Sequence, residues 1–429
     1  MKKNLAVVVG KIVLFLSRTL RIGGGAAAPG YYALKVEPDL LNKLIAQIPK
    51  NIIITGTNGK TTTAKLLTHF VKTQGLKIIR NTTGSNLERG IVSALIAHSP
   101  LSSYDLGIWE IDEAAFNTLA PKIRPEIIVF LNVSRDQLDR YGEVDSIVGK
   151  WRVTLQSLPK STLVILNADD ENIASLVESA PGKTMLFGMK EEQISGEIKS
   201  QPKKGRSLNI QAYEVITNGL SGSQFKLSSP NYQLPATYYF PLPGLYHVYD
   251  ALAAISSGLY LKLDPQKMAK SCNDFSPAFG RVEKIKLSET SQAIVSLIKN
   301  PTGATQVLNT LAPSINNKDH VLLALNDELA DGTDVSWIWD VPFEELQLKH
   351  AKLKIIISGN RAVDLAIRLK YAGFDTSSLI IENNLSKALE RSKKGLEGTL
   401  FIFPTYTALL SLQKLLAKQG LKRHYWEEK

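Results

Sequence analysis

The segment at residues 51–74 constrains this chain more than any other. An apolar run, Asn51-Ile52-Ile53-Ile54, leads into Gly56-Thr57-Asn58-Gly59-Lys60-Thr61, and an amphipathic stretch follows at residues 61–74. Strand, glycine-bounded turn and helix in that order predict an open α/β sheet with a phosphate-binding loop at one strand end. The glycines let backbone N–H groups turn toward phosphate oxygens, and the helix N-terminus adds partial positive charge. Lys60 is then placed to reach terminal phosphates and the Thr61 hydroxyl to ligate Mg²⁺, with Thr62 in the same turn. The two glycines stand closer together than in the general nucleotide-loop pattern.

Further apolar runs at residues 77–79, 106–109, 127–131 and 163–166 read as strands separated by helices. Strands apolar on both faces predict a mostly parallel sheet covered on both sides. Residues 192–240 alternate polar and apolar side chains among Gly, Ser and Pro, which predicts an antiparallel β-rich insertion. Helical pattern resumes at residues 248–262. Beyond Phe279-Gly280-Arg281, four runs at 321–325, 354–357, 379–381 and 400–403 alternate with helices such as 362–371 and 408–419. The expected organisation is therefore α/β in two units. One is an ATPase-like domain at residues 1–280, and the other a smaller Rossmann-like domain at 281–429.

The N-terminus opens with an apolar stretch at residues 5–16, interrupted by Gly10 and Lys11. It is too short to span a bilayer. Val8, Ile12, Phe15 and Leu16 fit one helical stripe, so a helix within residues 1–22 is expected to dock on the body. Lys11, Arg18 and Arg21 also suit a helix lying on a membrane surface. Gly23-Gly24-Gly25 ends it. Net charge is +11, from 51 basic and 40 acidic residues. No long Lys/Arg run concentrates that charge, and no nucleic-acid partner is expected. Cys272 is the only cysteine, which excludes an internal disulfide and a cysteine-based zinc site.

A magnesium-dependent loop calls for a carboxylate. Trp109-Glu110-Ile111-Asp112-Glu113 ends the strand at 106–109, at the carboxyl edge where open α/β sheets bind ligands. Glu110 is the first candidate for Mg²⁺, with Asp112 as a helix cap. A second polar cluster follows the next strand at residues 132–142.

These stretches together resemble the Mur ligases, which join an amine to a carboxylate through an acyl phosphate. Gly-Thr-Asn-Gly-Lys-Thr-Thr is their form of the loop, and Asn167-Ala168-Asp169-Asp170 also fits. Pro243-Gly244 before the helix at 248 resembles their adenine-contacting segment, with His247 and Asp250 where that family carries asparagines. Residues 83–91 (including Asn86), 135–143, 300–304, 325–327 and 330–340 resemble the MurT branch of the family. That resemblance implies the synthetase subunit of a lipid II isoglutaminyl synthase, working with a GatD-like glutamine amidotransferase in peptidoglycan synthesis. It implies ATP and Mg²⁺ as cofactors and a cytoplasmic protein at the inner face of the membrane. The four-cysteine zinc ribbon common in that branch cannot form here, so no zinc is expected.

The resemblance also assigns site residues. An aspartate, Asp334 or Asp340, is expected to complete the partner's Cys-His pair, with Asp340 preferred. Arg281 stands near the hinge, close to the nucleotide phosphates, and Asn300 replaces a ribose-binding aspartate. Lys150 sits near the position of a carbamylated lysine, although an ordinary solvated lysine is the preferred reading. Cys272 has no glycine elbow and reads as a bystander thiol. Competing readings are an amino-acid-adding Mur ligase, a folylpolyglutamate or cyanophycin synthetase, and a nucleotide-binding scaffold without catalysis.

Overall fold

The structure, a computed structural model, describes residues 2–19, 27–82, 85–134, 144–190, 194–195, 207–349 and 353–421. Its first sheet contains β1 (Lys50–Thr55), β2 (Ile78–Arg80), β3 (Leu106–Ile111), β4 (Ile127–Phe130), β5 (Leu163–Asn167), β6 (Thr184–Met189), β7 (Ile194–Ser195), β8 (Ile210–Thr217), β9 (Ser223–Ser228) and β10 (Tyr238–Phe240). The spatial order is β10-β9-β8-β6-β5-β4-β1-β3-β2, with β7 paired to β8.

The continuous apolar runs of β1, β3 and β4 follow from burial on both faces. Ile52 and Ile54 pack with Leu66, Leu67 and Phe70 of the helix Lys60–Thr73, and with Val248, Leu252 and Ile255 of the helix Leu245–Tyr260. Ile53 faces the other way, toward Leu95, Trp109, Phe130 and Trp151. Phe116, Phe130 and Trp151 form an aromatic cluster with ring centroids 5.0–6.1 Å apart.

β1 lies between β3 and β4 and pairs in parallel with both. The chain runs to one side of β1 through β2 and β3, then crosses to β4 and beyond. That reversal of direction opens a crevice at the carboxyl ends of the strands. It brings the loops after β1, β3 and β4 together.

The insertion differs in part from the antiparallel expectation. β8 first extends the sheet in parallel with β6, and only β9 and β10 turn antiparallel. Residues 191–193 and 196–206 of this insertion lie outside the described residues.

The second sheet contains β11 (Glu283–Lys286), β12 (Gln292–Val295), β13 (His320–Ala324), β14 (Lys354–Ser358), β15 (Leu379–Ile381) and β16 (Thr399–Pro404), in the order β11-β12-β16-β13-β14-β15. The last four are the four expected apolar runs. The β11–β12 hairpin is an addition, paired antiparallel. Its first strand, Glu-Lys-Ile-Lys, buries only Ile285, so its apolar signal is too weak to read from sequence.

At the N-terminus the expected helix spans Lys2–Thr19. It docks on the body as expected, but not by the expected stripe: small Ala6 and Gly10 are buried and allow close packing, whereas Val8, Ile12, Phe15 and Leu16 are exposed on the other side. The glycine run at residues 23–25, expected to end it, lies outside the described residues. Two short helices, Ala28–Val36 and Leu40–Ile45, then lead into β1.

Candidate active site

The turn after β1 is shaped by its glycines. Gly56 and Gly59 adopt φ of +135° and +91°, where an L side chain is strained. A Cβ on Gly56 would lie 2.8 Å from Asn132 O, and one on Gly59 2.1 Å from Asp250 Oδ1. Asn132, from the loop after β4, locks the turn. Its backbone oxygen accepts from Thr57 N at 2.9 Å. Its amide accepts from Asn58 N at 2.9 Å and donates to Asn58 O at 3.0 Å. Thr57 Oγ1 accepts from Ser134 N at 3.1 Å. Asp170 in turn accepts from Val133 N at 2.9 Å, tying the loop after β5 to the same wall.

Lys60 begins the helix and is buried. Its Nζ donates to Gly56 O at 2.5 Å and lies 3.3 Å from Glu113 Oε2 and 3.8 Å from Asp112 Oδ1. A buried ammonium needs such partners to offset its lost hydration. Thr61 Oγ1 donates to Glu110 Oε2 at 2.6 Å. Thr62 is buried within the same helical turn.

Glu110 is itself held. Asn81 accepts from Glu110 N and donates to Glu110 O, both at 2.9 Å. Arg80 Nη1 lies 3.9 Å from Glu110 Oε1. Burial pushes the Glu110 carboxyl above its ordinary pKa, against the opposing pull of Arg80, Thr61, Lys60 and Arg281. Asn86 donates to Asp112 Oδ1 at 3.2 Å and also accepts from Asn81. Trp151 Nε1 donates to Glu113 O at 2.9 Å, fixing the acidic stretch to the aromatic cluster. Thr61 and Glu110 thus present two adjacent hard oxygen donors. That set suits Mg²⁺, which takes one or two protein oxygens beside substrate phosphates.

His247 and Asp250 lie one turn apart on the helix Leu245–Tyr260, and both are buried. His247 Nδ1 is 3.0 Å from Asp250 Oδ2. Asp250 Oδ1 packs beside Gly59, and Thr63 Oγ1 donates to Asp250 O at 3.5 Å. The pair therefore touches the phosphate loop from beneath. Burial pushes the His247 pKa down and the Asp250 pKa up, while their mutual contact opposes both shifts. His247 Nε2 is buried without a hydrogen-bond partner among the described residues. Arg281 is partly buried, and its charge faces Asp250 and Glu110.

The second sheet contributes directly to the loop. Asn300 caps the helix Pro301–Leu311 by accepting from Gly303 N at 2.7 Å. Its amide also donates to Asn58 Oδ1 at 3.3 Å. Asp334 and Asp340 stand elsewhere, both exposed, Asp334 just before the 3₁₀ turn Ser336–Asp340 and Asp340 at its end. Asp334 Oδ1 accepts from Ser336 N at 2.8 Å. Arg368, buried, holds the turn from below by donating to Ile338 O at 3.2 Å and Val341 O at 2.7 Å. Trp339 remains half exposed against Tyr371, whose ring centroid is 5.6 Å away.

The structure thus gathers Gly56 through Thr62, Asn86, Glu110, His247, Asp250 and Arg281 around one crevice. Asp334 and Asp340 are not part of it. Lys150 is exposed on its helix. Cys272 is fully buried, and burial pushes its thiol pKa far up, which leaves it un-nucleophilic. Residues 83–84 and 135–143 lie outside the described residues. Asn132 belongs to the polar cluster expected after β4, whereas Arg80 and Asn81 carry no local sequence pattern that marks them.

Comparison with known proteins agrees with this geometry. Residues 54–258 match the Mur ligase middle domain, and residues 297–409 match the MurT ligase C-terminal domain. The chain is 31% identical to a Staphylococcus aureus protein named lipid II isoglutaminyl synthase (glutamine-hydrolyzing) subunit MurT, over 91% of this chain and 93% of that one. A Streptococcus pneumoniae protein of the same name is 29% identical over 99% of both chains. MurF from Acinetobacter baumannii shares the fold at a TM-score of 0.69 and 20% identity, over 91% of this chain and 80% of its own. Mycobacterium tuberculosis folylpolyglutamate synthase, solved with ADP and AMPPCP, does so at 0.65 and 16%, over 90% and 93%. With a phosphate loop of Mur ligase form, a C-terminal unit that matches its own family model and near-full-length identity to two proteins so named, this chain belongs to the MurT family of ATP-dependent Mur-type ligases.

Proposed function

We propose that this chain is the synthetase subunit that amidates the D-glutamate α-carboxyl of the lipid II stem peptide, using ammonia delivered by a GatD-like glutaminase. The observation that carries the chemistry is the Thr61–Glu110 contact beside Lys60, at the carboxyl ends of the strands. The names of the Staphylococcus and Streptococcus relatives support the substrate and the need for a partner subunit.

The substrate carboxylate attacks the γ-phosphorus of ATP, giving an acyl phosphate and ADP. Ammonia then attacks the acyl carbon, phosphate leaves, and the nitrogen loses a proton to yield the amide. Lys60 and the N–H groups of the loop offset charge on the transferring phosphoryl oxygens. Thr61 and Glu110 would hold Mg²⁺, which draws charge from the phosphates when bound. Arg281 faces the same crevice from the start of the second unit, and Asn300 touches the loop, so that unit can close over the nucleotide. His247 Nε2, without a hydrogen-bond partner among the described residues, is the atom assigned to the adenine edge, and Asp250 braces Gly59.

Ammonia must come from outside, because Cys272 is buried and unreactive. Asp340, with Asp334 as the alternative, is the acid that orients the histidine of the partner's Cys-His pair. Trp339, Val363, Ile367 and Tyr371 are exposed around that turn and suit the partner's docking face. The protein works in the cytoplasm at the inner face of the membrane, where lipid II is made.

The decisive experiment combines the chain with its partner, ATP, Mg²⁺, glutamine and lipid II, and reads the product by mass spectrometry. Amidated lipid II is the expected outcome. Addition of an amino acid instead identifies an amino-acid-adding ligase, and absence of ADP release overturns the enzymatic reading.

A further inference from the structure

The first helix, Lys2–Thr19, is apolar on two faces, and only one of them packs against the described residues. The inner face is close-packed. Ala6 and Gly10 are buried, and a Cβ on Gly10 would come within 2.5 Å of Ile96 Cδ1 and 3.3 Å of Pro29 O. The outer face carries Leu5, Val8, Ile12, Phe15 and Leu16, each between 47% and 67% exposed. At helical pitch these five side chains fall within a stripe about 100° wide. A contiguous exposed stripe of large apolar groups marks an interaction site rather than ordinary surface.

The charge around the stripe indicates what covers it. The helix holds Lys2, Lys3, Lys11 and Arg18 and contains no carboxylate. Lys11 and Arg18 border one side of the stripe and Lys2 the other. Lys11 donates to Ser99 O at 3.2 Å, so its charge lies where the helix meets the body. The adjoining helix exposes Tyr31 and Tyr32, with Lys35 Nζ 4.6 Å from the Tyr31 ring centroid. Aromatic rings with a polar tip favour a boundary between apolar and wet phases. Among the described residues no helix is long and apolar enough to cross a membrane.

We propose that this helix seats the protein on an anionic lipid bilayer, lying in the membrane plane. Leu5, Val8, Ile12, Phe15 and Leu16 enter the upper acyl region, and Lys2 and Arg18, at the two borders of the stripe, meet the lipid phosphates. This deepens the membrane-face location proposed above, and it depends on no step of the reaction.

The test is co-sedimentation of the full chain with phosphatidylcholine vesicles, with and without phosphatidylglycerol. Wild type is expected to pellet with the anionic vesicles, and less so as salt rises. The double variant Ile12→Glu, Phe15→Glu is expected to lose about tenfold or more in partitioning while keeping its thermal midpoint, because both side chains point outward. A second variant, Lys2→Gln with Arg18→Gln, leaves the apolar stripe intact and is expected to weaken binding only to anionic vesicles. Absence of vesicle binding by the wild type overturns the proposal, as does equal binding by the double variant. So does a wild-type dimer, seen by ultracentrifugation, that the double variant dissolves without any vesicle binding; the stripe would then be a self-association face. Normal vesicle binding without amidation would count against the proposed reaction alone.

Discussion

The Thr61 hydroxyl donates to the Glu110 carboxylate across 2.6 Å, joining the first turn of the phosphate-loop helix to the end of the neighbouring strand. The two residues are 49 positions apart in sequence and adjacent only because β1 and β3 pair in register, Ile54 opposite Glu110. Substituting Glu110→Gln keeps the size of the side chain and removes its charge. ATP-dependent release of ADP should fall about 100-fold or more, since a preorganised charge at a phosphoryl-transfer site is worth several kcal/mol. The Mg²⁺ dependence should move to higher concentration. Thr61→Ser should retain most activity and Thr61→Ala little, measured by coupled ADP assay.

Gly59→Ala is expected to damage the loop rather than the chemistry. The new Cβ would lie 2.1 Å from Asp250 Oδ1 at a residue with φ of +91°. A destabilisation of about 2 kcal/mol follows from strain alone. Thermal unfolding should show it as a lower midpoint, together with loss of nucleotide binding by calorimetry.

Asn300 has two roles that substitutions can separate. It caps its helix through Gly303 N and reaches Asn58 on the phosphate loop. Asn300→Ala removes both and should cost about 1 kcal/mol of stability through the lost cap. Asn300→Ser keeps a capping oxygen but is too short for Asn58. It should leave the thermal midpoint nearly unchanged and raise the KM for ATP. An unchanged KM would show that the inter-sheet contact is idle.

Asp340→Asn and Asp334→Asn bear on the ammonia supply. With the glutaminase partner present, the variant of the residue that serves it should lose glutamine-dependent amidation and keep amidation driven by added ammonium chloride. Loss of both activities would place that aspartate in the synthetase instead.

The His247–Asp250 pair makes stability depend on pH. Burial lowers the His247 pKa below 6.5 in the fold, so the unfolded chain binds the extra proton. Stability from the neutral imidazole is therefore full above 6.5 and declines as pH falls toward the folded value. Asp250, raised from 3.8 by burial, acts in the opposite sense, losing stability as pH rises through its folded value. Arg281 faces both groups and favours the neutral imidazole. Replacing His247→Asn should flatten the decline below pH 6.5, read as the unfolding midpoint in denaturant across pH.

The strands were legible because complete burial leaves little but Ile, Val, Leu and Phe in them. Ile52-Ile53-Ile54 and residues 127–131 announce a two-sided core without further information. The phosphate loop was legible because only Gly tolerates the φ values of positions 56 and 59, and because Lys60 and Thr61 must follow at once. The β11–β12 hairpin was not legible, since an edge strand with one buried residue carries almost no apolar pattern. The contacts of the support residues were likewise hidden. Asn81 acts through Glu110, and Asn132, although it opens a visible polar cluster, acts through Asn58; no local spacing encodes a partner across a sheet.

By itself, then, the sequence determined the local devices: a loop that can cradle phosphate, a carboxylate at a strand end and an acid-aromatic turn at residues 334–340. Glycine freedom, side-chain chemistry and apolar periodicity act over a few residues and can be read there. The tertiary structure decided which of these devices meet. Parallel pairing of β1 with β3 and β4 brought Glu110 and Asn132 to the loop, and packing of the helix Leu245–Tyr260 brought Asp250 beneath Gly59. The same packing left Asp340 on a separate exposed face. Proximity between distant segments depends on the order in which strands lie beside one another, and that order is a property of the whole core.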